Sequence, residues 1–145
     1  MKRYPFYISV LALAGLLFVS SCSKDHSDPV ADTMKRLTDG TWTLISVTGG
    51  GGVDQTPLFQ GMTLQFSETT YTTTHGGVVW PATDTWTFEQ GIPTAIRRGD
   101  GVLMSIDAFQ DTQFVLRFSW DKTILSSGRS NGVIGDYVFT FTKTP

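Results

Sequence analysis

A chain of 145 residues has room for one domain with a real core, and a net charge of −2 without a basic stripe excludes an ordinary nucleic-acid binder. Ten Phe, four Trp and four Tyr with 17% charged residues exclude a disordered or coiled-coil protein, and abundant Gly and Thr without Ala- or Glu-rich stretches is a β composition. One cysteine and two separated histidines, His26 and His75, leave no internal disulfide, no cysteine-based zinc site and no histidine-rich metal site, so neither metal nor cofactor is expected.

The N-terminus reads as a targeting segment. Lys2 and Arg3 precede an apolar run, "YPFYISVLALAGLLFV" (4–19), which is short for a membrane span and ends in small residues instead of a basic flank. Val19-Ser20-Ser21-Cys22 resembles the bacterial lipobox. That resemblance implies cleavage before Cys22 and acylation of its thiol and new amino group, with Val and Ser standing where Leu and Gly or Ala are commoner. More than one acyl chain makes a stable anchor where a single chain is marginal. The expected division is a signal peptide over 1–21, an acylated tether over 22–32 ("SKDHSDPVA" after the cysteine), and a folded domain over 33–145. Losing Lys2 and Arg3 takes the net charge from −2 to −4. Ser23 instead of an acidic residue after Cys22 resembles Gram-negative sorting to the outer membrane. The orientation, periplasmic or surface, stays open.

"MKRLTDGTW" (34–42) predicts a short helical turn, capped by Asp32 or Thr33, running into Gly40-Thr41-Trp42. From Thr41 onward apolar residues alternate with polar ones, broken by turn residues. "TWTLISV" sets Trp42 and Leu44 against Thr43 and Ile45. "MTLQFS" aligns Met62, Leu64 and Phe66; "TYTTT" carries Tyr71; "TDTWTFE" aligns Trp86 and Phe88. A short strand at 94–98 turns at Gly99-Asp100-Gly101 into "VLMSIDAF", with Val102, Met104, Ile106 and Ala108 on one face. "TQFVLRFSW" aligns Phe114, Leu116, Phe118 and Trp120, and "DYVFTFTK" aligns Tyr137, Phe139 and Phe141. About eight antiparallel strands with one apolar face each predict an all-β fold, a small up-and-down barrel that removes its edges by closing, with a two-sheet sandwich as the alternative.

Gly40-x-Trp42, with "LQFSETTYT", "TWTF" and "FTFTK" in that order, resembles the lipocalin (calycin) family and, more closely, the small lipocalin-like domains of Bacteroides-type lipoproteins. The resemblance spans 33–145. It implies that Trp42 closes one barrel end against a basic side chain of the last strand, here Lys143 where the family more often has Arg. It also implies that the Gly-rich loop 48–61 lies over the opposite end.

The interior aromatics Trp42, Phe66, Tyr71, Trp86, Phe88, Phe114, Phe118 and Phe139 either line a pocket for a small hydrophobic or glycan-like ligand or fill the barrel. A pocket of a few hundred Å³ under Gly49 to Gly52 would mark the first case. The second leaves a protein partner in the envelope as the expected ligand. No catalytic constellation appears: no nucleophile elbow, no paired-histidine helix. Gly49 to Gly52 lacks the Lys-Ser/Thr of a phosphate loop. Arg98-Gly99-Asp100 spells a tripeptide that resembles integrin ligands but reads first as a hairpin turn. Asp107 and Arg117 fall on outer faces, where they can pair across strands. Asp32-Thr33-Met34 resembles the O-glycosylation acceptor of Bacteroides-type envelope proteins, with Thr33 the candidate.

Overall fold

A computed structural model describes residues 27–122 and 134–144. The signal segment, Cys22 and most of the tether lie outside the described residues. Eight strands follow one short helix: β1 (Thr41–Thr48), β2 (Thr63–Phe66), β3 (Thr70–Thr74), β4 (Thr83–Phe88), β5 (Ala95–Arg98), β6 (Leu103–Phe109), β7 (Gln113–Trp120) and β8 (Gly135–Thr144). Each pairs antiparallel with the next, and β8 pairs back onto β1, so the sheet is a closed up-and-down barrel and not a sandwich. Closure leaves no strand edge open for pairing with another chain.

Period-two alternation puts Leu64, Phe66, Tyr71, Trp86, Ile96, Met104, Ile106, Phe114, Leu116, Phe118, Trp120, Tyr137, Phe139 and Phe141 in the core. Threonines dominate the outer wall of β1 to β4. Two bulges break the alternation. Between Leu44 and Ser46 the register of β1 shifts, so that Val47 takes over the inward position. Between Ile106 and Ala108 the register of β6 shifts. Ala108, expected inside with Met104 and Ile106, is therefore exposed, and Phe109 turns inward to lie 5.9 Å from the Trp42 ring. One extra residue in one strand inverts the face of everything after it.

The helix α1 spans Pro29–Thr38, longer than the predicted turn. Its N-cap is Asp28, whose Oδ1 accepts the Val30 N–H at 2.9 Å, and not Asp32 or Thr33. A capping aspartate followed by proline in the first helical position starts the helix a turn earlier than expected, so residues 29–32 of the predicted tether are helical. Leu37 is fully buried and Met34 packs on the core. Arg36 lies over the Phe109 ring at 5.6 Å and 3.6 Å from Asp111 in the β6–β7 turn. The helix thus covers the barrel end at which β1 begins. The other end, the loop end, carries the β1–β2, β3–β4, β5–β6 and β7–β8 connections.

Candidate functional site

At the helix end, the Trp42 indole N–H donates to the Leu37 carbonyl at 3.0 Å, and its ring meets Phe114 edge-on at 4.5 Å. Lys143 is the register partner of Trp42 across the β1–β8 seam. Its ammonium bonds to Asp39, 2.6 Å from Oδ2, and that hydrogen bond holds the Asp39 carboxyl below its ordinary value. The Lys143 stem lies against Gly40, where a Cβ would stand 3.2 Å from Lys143 Cε at a φ of +112°. Glycine at this position serves both the turn and the close approach.

The loop end, the open mouth in the family that the sequence resembles, is stopped by two inward-folded loops. In the β1–β2 connection a 3-10 turn, Thr56–Phe59, carries Phe59 into the barrel, edge-on to Phe139 at 5.1 Å. In the β3–β4 connection Val79 and Trp80 are buried. Trp80 meets Tyr71 and Phe118 edge-on at 5.5 Å each, and Phe139 at 5.8 Å. Thr73 fixes this loop, its hydroxyl donating to the Pro81 carbonyl at 3.0 Å and its N–H to that of Ala82 at 2.8 Å. Gly76 is required beneath it, because a Cβ there would lie 2.5 Å from that of Trp80.

Arg98 completes the stopper. The alternation of β5 puts Ile96 and Arg98 on the core face, and the guanidinium is wholly buried. Its Nη1 donates to the Val79 carbonyl at 2.8 Å, and Nε and Nη2 donate to Asp100 at 3.1 and 2.5 Å. Trp80, Phe118 and Trp120 surround it at 5.0, 5.7 and 5.6 Å. Lys122 Nζ stands 3.1 Å from the same carboxylate and also donates to the Asp100 carbonyl. Asp84 accepts the Asp100 N–H at 3.0 Å. Burial by itself would raise the Asp100 carboxyl, but the hydrogen bonds from Arg98 and the Val102 N–H, with the charge of Arg98, outweigh it and hold the group below its ordinary value. The Arg98-Gly99-Asp100 tripeptide is therefore a hairpin turned into the core, and its arginine is not presented to any receptor.

Three buried polar atoms in this region have no hydrogen-bond partner among the described residues: the Tyr71 hydroxyl and the indole N–H groups of Trp80 and Trp120. Burial pushes the Tyr71 hydroxyl above its ordinary range.

The aromatics read as candidate ligand contacts are all present in one packed network. Trp42 and Phe114 lie at the helix end; Phe66, Trp86 and Phe88 form an edge-on series at 5.2 and 5.1 Å; Tyr71, Phe118 and Phe139 lie beneath the stopper. Only Phe88 among them is half-buried. A cleft of about 270 Å³ is lined by Gln65, Phe66, Ser67, Thr70, Tyr71 and Thr72, and one of about 370 Å³ by Leu103, Arg117, Phe118, Ser119 and Asp136 among others, so the candidates Phe66, Tyr71 and Phe118 border clefts, but neither cleft lies under Gly49 to Gly52. Thr33 is half-buried within α1. Arg117 and Asp107 pair on the outer wall at 2.6 Å. Among the described residues no group of three or more His, Cys, Asp or Glu is placed to hold a metal ion.

Neither Phe59 nor Trp80 stands out in the sequence as part of a site, and Arg98 does so only within the adhesion-like tripeptide. For Trp80 the signal was the apolar run Val78-Val79-Trp80 between Gly77 and Pro81, which belongs to no strand and so needs burial elsewhere. For Arg98 it was the parity of Ile96, two residues before it.

No known family model and no curated protein matches this chain.

Proposed function

We propose that this chain is a non-catalytic lipoprotein of the bacterial outer membrane, of the lipocalin-like kind found in Bacteroides-type envelopes, held by acyl chains on Cys22 and acting as an interaction protein. The observation that carries the interaction reading is the stopper: Phe59, Trp80 and Arg98 occupy the space in which a lipocalin-like barrel would hold its ligand. A barrel filled in this way offers its wall and its loops, not a calyx. The anchor rests on Val19-Ser20-Ser21-Cys22 and the apolar run before it.

A second reading, a small glycan-like ligand, is favoured by the Tyr71, Trp80 and Trp120 groups that lack a partner among the described residues, which the hydroxyls of such a ligand would satisfy. It requires the Trp80 loop to leave the barrel.

Two measurements test these readings. Cells fed radioactive palmitate should label the wild-type chain, while Cys22→Ala should remain unlabelled and unprocessed; label on that variant would refute the anchor. Native mass spectrometry of protein purified from its host should give the bare mass of the acylated chain. A stoichiometric small-molecule adduct would replace the interaction reading with the second one. Hexose increments on the peptide carrying Thr33 would establish glycosylation there, and their absence would end that expectation.

A further inference from the structure

Four of the large apolar side chains most exposed to solvent lie together at the loop end: Val53 at 56%, Leu58 at 67%, Val78 at 47% and Ile134 at 50%. They come from three connections that touch one another. The Phe59 ring, next to Leu58, is 3.7 Å from where a Cβ on Gly77, next to Val78, would stand. The Gly50 N–H lies 4.0 Å from the corresponding point on Gly135, next to Ile134. The aliphatics therefore share one crown above the stopper. Their neighbours Phe59, Val79 and Trp80 plug the barrel from the same loops, so the crown stands on a fixed base. Clustered exposed aliphatics of this kind mark interaction surfaces, whereas scattered ones carry no such meaning.

Charge narrows the occupant. Asp54, Asp121 and Asp136 are exposed around the crown. Of the basic groups described there, Arg98 is buried on Asp100, Lys122 is bound to the same carboxylate, and His75 sits at the rim beside the Gly61 carbonyl. Residues 123–133, which include Arg129, lie outside the described residues and are not counted. An anionic lipid surface would meet like charge here, and so would a second copy of the crown. Placement agrees. The tether enters through α1 at the opposite end of the barrel, so an anchored molecule directs the crown away from its own bilayer.

We propose that this crown is the docking face for a partner protein, and that the segment it receives is an aliphatic stretch flanked by lysine or arginine. The proposal rests on the interaction reading above and names its surface and the chemistry of its partner.

The test is site-specific photocrosslinking of the full acylated chain in its host, with benzoylphenylalanine at Leu58 or Val78 and, as a wall control, at Ile45. The expected result is a discrete protein adduct from both crown positions and none from the wall, with sequencing of the crosslinked peptide giving an aliphatic stretch between basic residues. Asp121→Lys should abolish the adduct without changing the thermal midpoint. Adducts to lipid or to a second copy, a crosslinked peptide lacking basic residues, or no adduct from the crown would each overturn the proposal. Protein adducts from the wall alone would do so while leaving the interaction reading intact; silence at every position together with a co-purifying small molecule would remove both.

Discussion

Arg98 stacks over Trp80 with its guanidinium carbon 5.0 Å from the ring while donating to the carbonyl of Val79, one residue earlier. One side chain thus grips the loop both by its ring and by its backbone. The charge that does this is fully desolvated, and its counter-ion Asp100 is two residues away in the same hairpin. Stability of the stopper should accordingly depend on that hairpin more than on the loop itself.

Asp100→Ala should lower unfolding stability by about 3–5 kcal/mol, because it leaves a buried guanidinium without a counter-ion. The measurement is the urea midpoint, with the slope unchanged. In an Arg98→Met background the same Asp100→Ala change should cost far less, since the two groups are coupled. Equal costs in the two backgrounds would show that the pair does not support the stopper.

The same carboxylate sets an acid limit. Asp100 titrates lower in the folded chain than in the unfolded one, so its contribution is complete above the unfolded value of about 3.9 and is lost as pH falls through the folded value. Urea midpoints measured downward from about pH 5 should fall most steeply below about pH 4. Asp39, Asp54, Glu89 and Asp107 are held low as well by hydrogen bonds, at surface positions where solvent screens their share. Asp100→Asn should therefore flatten the acid limb; an acid limb as steep as wild type would assign it to those other groups.

Gly99 has an ordinary φ yet no room for a methyl group. A Cβ there would lie 2.3 Å from Asp84 Oδ1 and 2.4 Å from Thr85 Oγ1. Gly99→Ala should cost about 1–3 kcal/mol through overpacking, with the Asp84 bond to the Asp100 N–H the first casualty. Gly50→Ala, whose nearest neighbour would be 3.9 Å away, is the control and should stay within about 0.5 kcal/mol of wild type.

At the opposite end, Trp42→Phe keeps an aromatic ring against Phe114 but loses the bond to the Leu37 carbonyl. A loss of about 1 kcal/mol is expected, plus the effect of the smaller ring. Hydrogen exchange should quicken first in α1, ahead of the strands. Uniform quickening across the barrel would mean that the helix is no separate unit.

Much of the barrel was legible from alternation. Phe114, Leu116, Phe118 and Trp120 are buried at every second position of β7, and so are Leu64 and Phe66 of β2, because burial on one face of a sheet demands that spacing. What escaped has no period to betray it. Phe59 and Trp80 sit on loops, where an inward turn depends on contacts far away in sequence. Ala108 and Phe109 exchanged faces at a bulge, which leaves no mark in composition. The start of α1 is written in Asp28-Pro29, although Asp32 and Thr33 offer competing caps a turn later. Arg98 shows a different difficulty. Its alternation placed it inside, while its charge and the familiar tripeptide around it drew attention to the surface.

The seam that closes the barrel joins β1 to β8, with Thr43 and Thr144 bonded hydroxyl to hydroxyl across 101 positions of chain. Neither strand has this partner until the other end of the polypeptide exists. A growing chain can pair hairpins as it emerges, yet its first strand keeps one flank open until the ten residues of β8 arrive. Without β8, the first strand would keep its partner β2 on one flank and bare the other along its whole length.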